Sequence, residues 1–169
     1  MSEKHETKHF VDANGVYIGG FGDGAAAPVG AIEVSRPPSA FHSWNGENWI
    51  PPAPNSEQVD AERDRRIRAG MIANVAPHGD IPVQGRPTDK DNLMGLATSA
   101  QLLIANGAGA TITNFRDADN VIHDLTQPQV LDLWQQAAAY VSLCFQSAWA
   151  LKDGSGGIPH DFTDDTYWP

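Results

Sequence analysis

The sequence predicts an α+β fold: a small N-terminal β-hairpin module, then an α-ββ-α-ββ-α domain with a long C-terminal helix and an extended tail. Three observations carry that prediction. Apolar and polar residues alternate around Asp12-Ala13-Asn14-Gly15, and Asn-Gly is a strong hairpin signal because both residues tolerate positive φ. After Pro51-Pro52-Ala53-Pro54 the apolar period lengthens from that of a strand to that of a helix. From Thr126 onward one apolar face persists for about 25 residues, or roughly 38 Å of helix.

The elements follow in order. Lys8 to Val11 and Val16 to Phe21 read as the two strands of the first hairpin, with Ala31 to Val34 as a third strand after the small-residue loop Gly22 to Pro28. Trp44 and Trp49 bracket the turn Asn45-Gly46-Glu47-Asn48, which would set the two indoles opposite each other as a cross-strand pair. Residues 1–50 therefore form a small β module that buries too little surface to stand without a neighbour or a second copy. Residues 51–58 read as a proline-rich linker, because proline lacks an N–H and restrains the residue before it.

Asn55, with Gln58 three residues on, is a helix cap, and Gly70 is a good stop. Between them Glu62–Arg66 and Asp64–Arg68 stand at i,i+4 with the acid first, while Val59 and Ile67 mark the only apolar line. This is a mostly solvated helix resting on one side. A hairpin follows from Met71 to Val75 and Ile81 to Gln84, turning through Pro77-His78-Gly79-Asp80. Thr88 is placed as the cap of the next helix, with Leu93, Leu96, Ala97, Ala100, Leu103 and Ile104 at helical spacing and Asn106-Gly107 as its end. Ala110 to Phe115 and Asn120 to Leu125 make another hairpin around Asp117-Ala118-Asp119. Thr126 with Gln129 caps the last helix, and Val130, Trp134, Ala137, Val141, Cys144, Phe145, Ala148 and Leu151 line its inner face. Residues 59–153 thus form the α+β domain, and 154–169 form a flexible Gly/Ser linker with an aromatic, acidic tail.

Charge and composition exclude several roles. With 11 Lys+Arg against 21 Asp+Glu the formal charge is -10, the wrong sign for nucleic acid or an anionic membrane as a partner. No apolar run is long enough to span a bilayer, and the polar opening residues are no signal peptide. The single cysteine, Cys144, excludes an intrachain disulfide framework and a multi-cysteine zinc site.

His5-Glu6-Thr7-Lys8-His9 matches H-E-x-x-H, but a zincin carries that motif on a supported helix and here a strand begins at once. The segment reads as a solvated arm. His42, His78, His123 and His160 show no pairing spacing, and Cys144 sits on an apolar helix face, where a buried inert thiol is expected. The stretch Gly19-Gly20-Phe21-Gly22-Asp23-Gly24 opens no helix and so lacks a phosphate cradle. Asp117, Asp119 and Asp124 lack the distal glutamate of a calcium loop and serve turn formation. Phe10-to-Val16 and Phe115-to-Val121 share Phe, Asp, Ala and Val in register, an echo that turn chemistry explains. No catalytic residue, metal site or cofactor is expected. Binding candidates are Trp44 and Trp49 on the β module, and Phe162, Tyr167 and Trp168 on the tail, because aromatics are favoured interface anchors; the tail reads equally as a segment that folds back on its own core.

Glu62-Arg63-Asp64-Arg65-Arg66-Ile67-Arg68-Ala69-Gly70 starts a pattern continued by Arg86-Pro87-Thr88-Asp89, Leu93 to Ala97, Phe115 to Val121 and the closing Ala150-Leu151-Lys152-Asp153. This pattern, from about Val59 to Asp153, resembles a small domain of unknown function encoded in the tail-fibre region of tailed bacteriophages and prophages. The Phe10-to-Gly20 hairpin and the Trp44-to-Trp49 turn look like modules that precede such domains in phage tail and fibre-assembly proteins. Pro77, Gly79 and Pro82 depart from it by lengthening one turn. The resemblance transfers no catalytic residue. It implies a virion structural protein of the tail, made in the host cytoplasm, that attaches at the baseplate or tail fibre by binding other tail, baseplate or fibre proteins or a second copy. The alternative it implies is a tail-fibre assembly chaperone that need not stay in the virion.

Overall fold

A computed structural model describes residues 7–22 and 24–169. His5 and Glu6 of the H-E-x-x-H string, and Asp23 of the glycine-rich stretch, lie outside the described residues. The architecture is α+β with antiparallel sheets and a long C-terminal helix, and the chain divides into two units, Met1–Ala53 and Pro54–Pro169.

In the first unit, β1 (Lys8–Val11) lies between β2 (Tyr17–Phe21) and β3 (Ile32–Val34), both antiparallel to it. The β1–β2 turn is held by Asp12, whose Oδ1 accepts the N–H groups of Asn14 and Val16 at 2.8 and 2.9 Å. Gly15 closes it at φ 79° and sits so near Trp44 that a Cβ there would lie 1.9 Å from the Trp44 carbonyl oxygen. β4 (Ser43–Trp44) and β5 (Trp49–Ile50) form a second ribbon with Trp44 opposite Trp49. Among the described residues of this unit, Val11 is the only apolar side chain that is fully buried.

The second unit is built on its last helix. α1 (Ser56–Ala69) begins at the Asn55/Gln58 capping box and stops at Gly70, whose N–H donates to the carbonyls of Arg66 and Ile67. The helix starts directly after Asn55, where the sequence places its cap, so residues 56–58 of the proline-rich stretch are helical. β6 (Met71–Val75) and β7 (Gly79–Val83) pair without interruption from Met71–Val83 to Val75–Gly79. α2 (Pro87–Ala105) has Arg86 at its cap position and Pro87 in the first turn, so Thr88 is inside the helix rather than its cap. Proline is favoured there because its missing N–H would be unpaired anyway. β8 (Ile112–Arg116) pairs with β9 (Ile122–Thr126), and α3 (Gln127–Asp153) follows directly from the Thr126/Gln129 capping box.

One apolar core gathers Ala73, Val75, Ile81 and Val83 from the first hairpin with Leu93 and Ala100 of α2, Leu125 of β9, and Val130 and Leu133 of α3. These are the inward positions of alternating strands and of helical stripes. A second cluster joins Val59 of α1 to Ala148 and Leu151 of α3, and its remaining members are Phe162 and Trp168. The tail is thus not a flexible peptide with exposed aromatics. It turns back after Gly154 and covers the gap between α1 and α3, where Phe162 and Trp168 bury their rings and the Thr163 carbonyl and Asp165 accept hydrogen bonds from Arg66.

Candidate functional site

Three groups of side chains are candidates for function, and each is built by local chemistry. In the β module, the Trp44 and Trp49 rings stand edge to face at 5.3 Å, and Tyr17 meets Trp49 at 6.1 Å. Trp49 Nε1 donates to Ser35 Oγ at 3.2 Å. Both indoles are half-buried, with Phe41, Val29 and Val16 well exposed in the same unit. The aromatic pair is assembled as its spacing predicts.

The tail aromatics have a different fate. Trp168 is buried, and its Nε1 donates to the Phe162 carbonyl at 2.7 Å. Beneath it Arg66, also buried, donates to Glu62 at 2.6 Å, to the Thr163 carbonyl at 2.7 Å and to Asp165 at 2.8 Å, with its guanidinium 5.3 Å from the Trp168 ring. Tyr167 is half-buried and donates to Asp161 at 3.2 Å. Phe162 and Trp168 are therefore taken by the chain's own core, leaving only Tyr167 partly open. The i,i+4 reading of Glu62–Arg66 holds. Among the described ion pairs Asp64 joins Arg63 rather than Arg68, because Arg63 lies over Phe145 and its fork reaches Asp60 and Asp64 together. Hydrogen bonds from Arg65 and then Arg66 hold the Glu62 carboxyl below its ordinary value despite its burial.

The third group surrounds a cleft of about 540 Å³ between α2 and the β8–β9 hairpin. Val83, Leu93, Leu96 and Phe115 provide its apolar floor, and Arg86, Asn92, Asn114 and Arg116 its polar rim. Arg86 grips Asp89 through two hydrogen bonds at 2.6 and 3.1 Å, which lowers the Asp89 pKa. Asp117 closes one end. Its Oδ1 accepts the N–H groups of Asp119 and Val121, and its Oδ2 lies 2.8 Å from His123 Nε2. The His123 hydrogen bond is the main cause of the lowered Asp117 pKa. His78 meets His123 edge to face at 6.0 Å. With both carboxylate oxygens occupied by the turn and the ring, Asp117 and His123 bolt the hairpin. The echo between the two halves now has a structural form. Asp12 and Asp117 make the same pair of side-chain bonds to residues two and four further on, and positive φ falls at Gly15 and Asn120.

Elsewhere the polar strings stay apart. His9 is on β1 with Nδ1 2.8 Å from the Tyr17 hydroxyl, a strand position unlike the helix a zincin needs. His42 contacts Ser39 at 2.9 Å. Cys144 is buried, and burial raises its pKa. The neighbouring Tyr140 is pushed up to about 12, chiefly by burial. Among the described residues no group of three His, Cys, Asp or Glu side chains is placed to hold a metal ion, and no helix is long and apolar enough to cross a membrane. The sequence reading missed the Asp117–His123 bond and the cleft, and the only local signal was the turn-forming aspartate.

A family model described as a domain of unknown function, DUF4376, matches residues 52–165. No curated protein and no solved structure matches the chain.

Proposed function

The chain belongs to the DUF4376 family of domains of unknown function, and from that premise we propose that it is a bacteriophage tail structural protein working by protein–protein binding. It attaches at the baseplate or at a tail fibre. The observation that carries the binding role is the contrast in core between the two units. The 54–169 unit closes two apolar clusters of its own, whereas Val11 alone is fully buried among the described residues of the β module. A module of that size with Val29, Phe41 and Val16 exposed gains stability when another protein covers it. The phage setting rests on the resemblance of the Glu62–Gly70, Arg86–Asp89 and Ala150–Asp153 segments to the tail-fibre-region domain.

Mass spectrometry of purified particles tests this reading. The protein is expected in the mature particle. Its absence there, together with malformed fibres when it is deleted, would replace the structural role with that of an assembly chaperone. Hydrolysis ranks behind binding, because His9 is committed to a strand and to the Tyr17 hydroxyl. Removing residues 1–9 distinguishes the two: loss of a measurable hydrolytic activity would overturn the non-enzymatic reading.

A further inference from the structure

The sheet edges of the 54–169 unit are treated unequally. The outer edge of β6 is closed by α3: Asn74 N–H donates to Gln136 Oε1 at 2.9 Å, and Gln136 Nε2 donates back to the Asn74 carbonyl at 2.8 Å. Just beyond the strand, Gln129 Nε2 donates to the Ala76 carbonyl. On β7, Pro82 has no N–H to offer and its carbonyl accepts the Ala118 N–H at 3.0 Å. Proteins commonly blunt strand edges in such ways, since an open edge templates pairing with another chain.

β8 is different. Asp117 N–H donates to the Val121 carbonyl, which fixes the alternation: Phe115 and Thr113 turn their backbone groups to β9, and Asn114 and Arg116 turn theirs outward. Those outward groups have no protein partner among the described residues. The cleft runs along the last part of this edge: its lining takes Asn114, Phe115 and Arg116 of β8, from both faces of the strand, and Asp117 and Ala118 of the turn that follows. The three β8 residues that line it extend about 10 Å at the usual rise, enough to pair with a short strand. Val83, Leu93, Leu96 and Phe115 would meet its inward side chains. On the rim, Arg116 is exposed and has no ion-pair partner among the described residues, unlike Arg86, which holds Asp89. The outer edge of β9 also turns the backbone groups of Ile122 and Asp124 outward, and neither residue lines this cleft.

We propose that this cleft is a strand-docking site: an extended segment of a partner protein, apolar at alternate positions and bearing a carboxylate opposite Arg116, pairs with the open edge of β8. Backbone hydrogen bonds hold the segment, the apolar floor selects its alternate side chains, and Arg116 selects its charge. The proposal rests on the protein-binding reading and adds, within the 54–169 unit, a contact separate from the one assigned to the β module.

Amide hydrogen exchange on the full chain, followed by NMR, tests it. The probe is a capped six-residue peptide of valines alternating with threonine and one glutamate. In the free protein the N–H groups of Asn114 and Arg116 exchange fast and those of Thr113 and Phe115 slowly. With the peptide at about ten times its dissociation constant, exchange at Asn114 and Arg116 slows about tenfold. A peptide N-methylated at alternate residues leaves both amides fast. Arg116→Glu weakens the glutamate peptide about two- to fivefold and turns the preference toward a lysine peptide. Slow exchange at Asn114 and Arg116 in the free chain would overturn the open edge. Absence of slowing up to the peptide's solubility, or chemical-shift changes confined to other surfaces, would overturn the site. These failures leave the protein's presence in the particle untouched, so they are distinct from failure of the tail reading.

Discussion

Two glycines show how closely single residues are fitted. A Cβ on Gly85 would lie 1.7 Å from the Ile67 carbonyl oxygen, whereas Gly95 in α2 has nothing within 4 Å. Gly85→Ala should cost roughly 1–3 kcal/mol or more, since backbone must move, and Gly95→Ala should stabilise by about 0.5–1 kcal/mol. Urea unfolding reads both, and equal midpoints for the two variants would contradict the fit. Arg66 makes a sharper case. Arg66→Met strips the buried Glu62 of one partner and frees Thr163 and Asp165, an expected loss of about 3 kcal/mol by the same measurement. The pH dependence follows from Glu62. Its folded pKa is depressed below 4.5, so its contribution is complete above that value and is lost as pH falls through the lower folded value. The urea midpoint should therefore drop between pH 7 and pH 3 less in Glu62→Gln than in the parent, and identical drops would contradict the assignment. Cys144 should resist thiol reagents in the folded chain, being buried with a raised pKa.

Elements were legible where their signals are local. Capping boxes at Asn55/Gln58 and Thr126/Gln129, the Asn14-Gly15 turn and the Asp117 turn each act within five residues, and all four form. The C-terminal segment was legible only as two alternatives, docking on a partner or on its own core, because the choice depends on Arg66, 97 residues away from Thr163 and inside a helix whose composition reads as solvated. The Pro87 start of α2 was shifted for a smaller reason: Thr88 is a good cap residue, but proline fits the first turn better. Removing residues 158–169 should accordingly lower the unfolding midpoint of the remaining chain substantially, since Val59, Ala148 and Leu151 lose their cover. Burying one large apolar side chain is worth about 1.5–3 kcal/mol, and two go with the segment. An unchanged midpoint would mean that the segment is a free arm after all. The candidate site was less legible than the fold. Trp44 and Trp49 pair as their spacing predicts, but the β8 cleft is made by α2 and β8, elements whose sequences do not announce each other.

At the scale of the whole molecule, the two units differ in how complete they are. The 54–169 unit has two closed clusters and coincides closely with the family match at 52–165, so residues 54–169 should unfold cooperatively when expressed alone. A broad transition without a two-state midpoint would contradict that independence. The net charge of -10 is part of the same picture: Asp161, Asp164 and Asp165 lie on the segment that closes the second cluster, and Asp165 is tied to Arg66. These three aspartates therefore sit exposed on a folded segment. We propose that the protein attaches in a phage tail through the β module. Quantitative mass spectrometry of purified particles, made with either the full chain or residues 54–169, tests it most directly. The full chain should be present in the particle, and the 54–169 chain should accumulate folded in the lysate while being lost from it. Absence of the full chain from particles, or undiminished retention of the 54–169 chain, would contradict the account.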